Sequence, residues 1–203
     1  MIFSRDDVRI LDREVLFQGF FRMVRLRLQH RLFAGGWSPE MQRELFERGH
    51  AAVLMPYDPK RDAIVVQEQF RVGAIETTAN PWLLEMVAGI IEPGESAEQV
   101  VRREAVEEAG LAIGRIEPLF SYLVSPGGTT ERIELFVGEV DSSEAGGLHG
   151  LADECEDIRV TVISRAEAIA LLDAGQISNA AMLIALQWLA RHGEALRQRW
   201  AAP

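Results

Sequence analysis

Residues 89–111, GIIEPGESAEQVVRREAVEEAGL, constrain the fold more than any other stretch of this chain. Gly89, Pro93 and Gly94 impose an irregular loop. Ser96 followed by Gln99 then forms a capping box that starts a helix, and Gly110 stops it. Residues three and four apart share a helix face, so Glu104 stands beside both Glu107 and Glu108. Each like-charge pair costs about 0.2–0.5 kcal/mol on a bare helix. Ala97 and Val100 lie on the same stripe, and Val101, Ala105 and Ala109 flank it. The three carboxylates therefore point partly inward.

Such carboxylates need a cation or a proton, and Arg103 is the one basic residue close by. Oxygen ligands that leave positions open suit Mg2+, which keeps waters and accepts phosphate oxygens. The helix thus reads as a divalent-metal platform for phosphate chemistry. Taken alone, the same glutamates also suit a solvated Glu/Arg helix.

The rest of the chain is β-rich. Residues 24–33 alternate apolar and polar side chains, and 50–58 and 63–71 read as two strands around the turn DPKRD. WLLEMVAG reads as one strand running into the opening loop, with further strands over 116–128, 131–140 and 156–164. RAEAIALLDAG is a short helix closed by Gly175, and a longer helix capped by Ser178 follows. Its Met182, Leu183, Leu186, Trp188 and Leu189 are expected to pack on the sheet. Residues 140–157 are expected to be one long loop, and such loops are functional or disordered. The order of elements predicts an α/β fold, a mixed sheet between helices.

Composition narrows the partners. With 31 acidic against 21 basic residues the net charge is −10, which disfavours nonspecific nucleic-acid binding. The single cysteine, Cys155, allows no intrachain disulfide and fits a reducing compartment. The N-terminus lacks a signal-type apolar core, and the longest apolar run, AAMLIALQWLA, is too short to span a bilayer. A cytoplasmic protein with no membrane element is expected.

The spacing Gly89, Glu95, Arg103-Glu104, Ala105, Glu107-Glu108, Gly110, Leu111 resembles the Nudix box at every position. That box marks hydrolases of nucleoside diphosphates linked to another group. ERGHAAVLMPYD, PWLLEMVAGIIEPGES, SPGGTTER and HGLADECEDIRVTVISRAEA extend the resemblance to the bacterial ADP-ribose pyrophosphatase branch over nearly the whole chain. Pro126, 16 residues beyond Gly110, sits where that branch carries a marker proline.

The resemblance implies a Nudix fold and Mg2+-dependent hydrolysis of ADP-ribose to AMP and ribose 5-phosphate. About two or three ions per site are implied, with Mn2+ an alternative to Mg2+. Glu104, Glu108, Glu156 and the carbonyl of Ala88 are implied as metal ligands, and Glu154 as the general base. Glu107 would assist through water, while Arg103 and Glu95 brace the loop–helix–loop. Phe20, Phe21, Arg43 and Glu44 are implied for the adenosine end, Arg48 and Arg71 for phosphate, and Glu131 for the terminal ribose. Ser125, Pro126, Gly127 and Ile90 would line the pocket. Core packing for the two phenylalanines, and surface ion pairs for the arginines, are the competing readings.

Residues 1–45 exceed a minimal catalytic domain of 46–203, and Arg25 and Arg27 on one strand face suggest an extra β-layer. In this branch such an extension makes a homodimer in which residues of one subunit complete the other's pocket. Another nucleoside-diphosphate-linked substrate, such as a nucleotide sugar or dinucleotide, and a non-catalytic ADP-ribose sensor remain alternatives. Intact glutamates throughout the box argue against the sensor.

Overall fold

The computed structural model describes residues 2–201, and of Glu154 and Ala201 it describes the backbone alone. Two compact units emerge: residues 1–50 with 123–132, and residues 51–122 with 133–203.

In the first unit β1 (Val8–Gln18), β2 (Arg22–His30) and β3 (Met41–Glu47) form an antiparallel three-stranded sheet. Period-two alternation puts Arg25 and Arg27 on one face. There they meet Glu14, Glu44, Asp12 and Glu40 across the strands. Register shifts between Ile10 and Asp12 and between Val15 and Phe17 break β1's alternation. Leu11, Val15 and Phe17 are exposed. Residues 123–132 join this unit through Phe46, whose N–H donates to the Gly128 carbonyl at 2.8 Å and which bridges to Thr129.

In the second unit β4 (Ala51–Asp58) is buried along its whole length, which suits the centre of a sheet covered on both faces. Around it run β5 (Ala63–Phe70), β6 (Trp82–Glu85), β7 (Val87–Ile90), β8 (Ile116–Leu123), β9 (Arg132–Glu139), β10 (Gly147–His149) and β11 (Ile158–Ser164). The order is β10-β11-β5-β4-β9-β8, with β6 added to β5 and β7 to β4. β4 and β9 run parallel while β5, β7 and β11 pair antiparallel, so the sheet is mixed as expected.

One face carries Val53, Met55, Ile64 and Val66 against α2 (Arg165–Asp173) and α3 (Ala180–Ala201), where Met182, Leu186 and Leu189 are fully buried. The opposite face carries Ala52, Leu54 and Val65 against Val100, Val101, Ala105 and Ala109 of α1 (Ala97–Ala109). No described helix is long and apolar enough to cross a membrane.

Three expectations are corrected. WLLEMVAG is two strands, not one. The chain changes partner at Met86, pairing with β5 before it and with β4 after it. Asn179, rather than Ser178, caps α3. Its Oδ1 accepts from the Met182 N–H at 2.9 Å while its Nδ2 donates to the Leu84 carbonyl at 2.8 Å, so the two ends of one amide cap the helix and tie it to β6. Residues 140–157 are not one plain loop, because β10 pairs with β11 and a 3-10 turn follows over Ala152–Glu154.

Candidate active site

The capping box forms as the sequence requires: Ser96 Oγ accepts the Gln99 N–H and the Gln99 side chain accepts the Ser96 N–H. Gly110 closes α1 at φ 64°, the left-handed conformation glycine adopts freely. These two ends fix the rotation of the helix, and the apolar face of α1 settles on β4 and β7. Glu104 and Glu108 are thereby carried to the rim of that contact.

Glu108 is almost completely buried. Its Oε2 accepts two hydrogen bonds, each 3.0 Å long, from the Ala88 N–H on β7 and from Gln67 Nε2 on β5. Glu104 lies on the backbone of Gly89, where a Cβ would stand 1.9 Å from its Oε1. The absence of a side chain at Gly89 is therefore what admits this carboxylate. Arg103 collects Glu104 at 2.9 Å, Glu107 at 3.0 Å and Glu95 at 3.4 Å, which ties the opening loop to the helix.

The electrostatics follow from burial. It pushes the Glu104 carboxyl up to about 7, with the Arg103 cation opposing the rise and Glu107 and Glu156 adding to it. Burial also pushes Glu108 up to about 7. The hydrogen bonds from Gln67 and Ala88 oppose that rise, and Glu104 and Glu156 add to it. Glu156, far along the chain, thus acts on both box carboxylates. Its loop is tight: Gly150 has φ +100°, and a Cβ there would meet the Glu156 Cβ at 2.8 Å. The Leu151 N–H donates to Glu156 Oε2 at 3.4 Å, and Cys155 is left-handed at φ 57°. The Glu154 side chain lies outside the described residues.

Among the described residues no three His, Cys, Asp or Glu side chains stand in a ready metal-holding group. The donor chemistry nevertheless fits a hard divalent cation. Three carboxylates act on one another through a buried rim, and Arg103 is the cation that engages Glu104 there. The Glu108 Oε2 is already held by Gln67 and Ala88, so Oε1 is the oxygen those donors leave open.

The other expected residues fall in two places. In the first unit, Arg48 sits over the Phe21 ring at 5.3 Å and pairs with the buried Glu131 at 3.4 Å. Phe21 packs edge-on against Phe20 and Phe46, with centroids 4.8 and 5.2 Å apart. Phe20 is 88% exposed, which is not the position of a core residue. Arg43 and Glu44 are exposed; Arg43 donates to the Gln42 carbonyl and Glu44 faces Arg25. Ser125, Pro126 and Gly127 form an exposed turn in which the Ser125 carbonyl accepts from Gly128 and Thr129. In the second unit, Arg71 is paired with Glu85 at 2.8 Å, and Ile90 lies opposite Ala51 on β4. Gln67 was not anticipated. Its signal was a glutamine directly following the apolar run Ala63–Val66 of β5.

The NUDIX domain matches residues 47–185. The ADP-ribose pyrophosphatase of Escherichia coli (strain K12) is 57% identical over 199 residues, 98% of this chain and 95% of that protein. The ADP-ribose pyrophosphatase of Haemophilus influenzae is 45% identical over 201 residues, 98% of this chain and 93% of that protein. A GDP-mannose pyrophosphatase from Pectobacterium atrosepticum is 36% identical over 149 residues, 71% of this chain and 75% of that protein. A solved structure described as an ADP compounds hydrolase superposes with a TM-score of 0.68 at 21% identity, covering 94% of this chain and 98% of that one, which speaks to the fold. With a domain match over most of its length and full-length relatives far above a third identical, the chain belongs to the NUDIX family.

Proposed function

We propose that this chain is a cytoplasmic ADP-ribose pyrophosphatase, hydrolysing ADP-ribose to AMP and ribose 5-phosphate with Mg2+. The observation that carries the reading is the buried rim of Glu104 and Glu108 at Ala88 and Gly89, in a chain 57% identical to a protein of that name. Glu104, Glu108, Glu156 and the Ala88 carbonyl would hold about two or three Mg2+ ions. Mg2+ bound there neutralises diphosphate oxygens and makes water a better nucleophile at neutral pH. Arg103 holds Glu104 and Glu107 in place and, with Glu95, keeps the loop on the helix. Glu154 takes the proton from the attacking water, with Glu107 assisting through a second water. Phe20, Phe21, Arg43 and Glu44 serve the adenosine end, Arg48 and Arg71 the phosphates, and Glu131 the terminal ribose. Ser125, Pro126, Gly127 and Ile90 line the pocket. The relation to a GDP-mannose pyrophosphatase keeps a nucleotide-sugar substrate as the second reading.

One assay tests both readings. The parent and Glu154→Gln are measured against ADP-ribose, ADP-glucose, GDP-mannose, NADH and a diadenosine compound, with and without Mg2+. The parent is expected to prefer ADP-ribose. Glu154→Gln should lower kcat by about 10²–10⁴, the range for a general base, with KM little changed. A preference for GDP-mannose favours the second reading, and an unchanged kcat moves the base away from Glu154.

The domain division proposed is an N-terminal extension of 1–45 that dimerises and a hydrolase domain of 46–203. Support comes from Leu11, Val15, Phe17 and Phe20, which are 45, 48, 65 and 88% exposed in the single chain. Apolar surface on that scale is usually covered. Light scattering should give twice the 22.7 kDa chain mass, and a monomer at micromolar concentration refutes the dimer.

A further inference from the structure

The geometry points to Gln67 as a positioning residue that aims Glu108, an assignment resting on the proposal that Glu108 holds a metal ion. Gln67 lies on β5 between Val66 and Glu68. Its strand alternation puts it on the face shared with Val65, against α1. It is 1% exposed, opposite Val160 on β11 and Glu85 on β6. Ala63 and Val65 precede it on that face and Val160 faces it from β11, while Glu85 on β6 and the buried Gln69 are its polar neighbours.

The two ends of its amide are treated very differently. Nε2 donates to Glu108 Oε2 at 3.0 Å, whereas Oε1 is buried with no hydrogen-bond partner. An unpartnered buried acceptor costs stability. Turning the amide over would give Nε2 the apolar side and set Oε1 against a carboxylate oxygen. The orientation in the structure is the one that serves Glu108 at the expense of Oε1. An amide held in this way contributes to the carboxylate, not to the core.

What it does for Glu108 follows from the second donor. The Ala88 N–H, on β7, reaches the same Oε2 at 3.0 Å. Two donors from two strands fix the position of that oxygen and the plane of the carboxylate, while α1 fixes the Cα. Oε1 is then held in one direction instead of sweeping through the rotamers of a free glutamate. Ligand-orienting hydrogen bonds of this kind tune metal affinity by about 10–100-fold. With Ala88 alone, the carboxylate could swing about its one remaining bond.

The test uses Gln67→Met, which keeps the length and the apolar contacts and removes the amide. Mn2+ binding to the substrate-free protein is titrated by calorimetry, and the melting temperature is measured in EDTA. The Mn2+ Kd should rise about 10–100-fold, while the melting temperature stays level or rises because an unpaired acceptor has gone. A core role for Gln67 gives the opposite split: lower melting temperature with unchanged Kd. Gln67→Leu repeats the measurement if the methionine variant does not fold. A Kd within about twofold of the parent in a folded variant overturns the assignment. Glu108→Gln, run alongside, separates the two layers. If it loses Mn2+ while Gln67→Met keeps parental affinity, the positioning role alone fails. If it too binds Mn2+ like the parent, the metal platform fails and the positioning role with it.

Discussion

Glu108→Gln is expected to lower the Mg2+-dependent rate by about 10²–10³ while the protein stays folded, since a ligand's share of charge stabilisation by the metal is several kcal/mol. The glutamine carbonyl can still accept from Ala88 and Gln67, so the local packing survives. Its NH2 group then points where an anionic oxygen had faced the cation.

Stability should respond to pH in a way that identifies the group. Burial pushes the folded Glu108 carboxyl up to about 7 from an ordinary value of 4.5, so the folded state binds its proton more tightly than the unfolded state does. The metal-free protein therefore keeps this contribution below about pH 4.5 and loses it as pH rises through about 7. Glu104 behaves in the same sense. In EDTA the melting temperature of the parent should fall between pH 5 and 8, and Glu108→Gln should remove roughly half of that fall. Mg2+ should raise the parent's melting temperature most at the upper end, where the carboxylates are ionised, and should do little for the variant. An unchanged rate, or an unchanged pH slope, is the result that defeats this account of Glu108.

What could be read before the structure was what local chemistry decides. The α1 boundaries follow from Ser96, Gln99 and Gly110, because caps act within one turn of the backbone they satisfy. The inward set of Glu104 and Glu108 follows from helical spacing alone. Residues whose role depends on a distant partner were harder. Glu156 acts on the box carboxylates across a fold that brings β11 beside β5, and only the family resemblance pointed to it.

The change of partner at Met86 is not announced by WLLEMVAG, which holds no glycine or proline at the break, because strand pairing is decided by β5 and β4, distant in the chain. Asn179 and Ser178 are both good caps by type, and the choice fell to the Leu84 carbonyl, a tertiary contact. Residues 123–132 join the first unit through backbone bonds to Phe46, the Thr129 hydroxyl on the Phe46 carbonyl and the Arg48–Glu131 pair, contacts between segments about 80 residues apart that no local pattern announces. Gln67 was visible as an oddity in a core strand, but its meaning needed Glu108 beside it.

The second large effect is expected at a residue with no side chain. Gly89→Ala should lower Mg2+-dependent turnover by about a hundredfold, comparable to losing a ligand, because the new Cβ takes the space of the Glu104 carboxylate. Built on the present backbone, it would stand 1.9, 2.4 and 2.5 Å from Oε1, Cδ and Cγ of Glu104. A conflict reaching back to Cγ cannot be relieved by turning the carboxylate alone. Neither backbone has room to yield. Gly89 is paired with Ala52 on β4, and α1 is seated by Val100, Val101 and Ala105, all fully buried. Glu104 must therefore leave its rotamer and swing away from the rim.

Overpacking of this kind costs about 1–3 kcal/mol, so a lower melting temperature with a folded protein is expected. Gly73→Ala is the control, since a Cβ there meets nothing within 4 Å and φ is not positive. It should leave both rate and melting temperature near the parent's. Steady-state rates across a Mg2+ titration read the outcome. If Gly89→Ala folds and turns over like the parent at every Mg2+ concentration, the seat of Glu104 on the Gly89 backbone has no part in the chemistry.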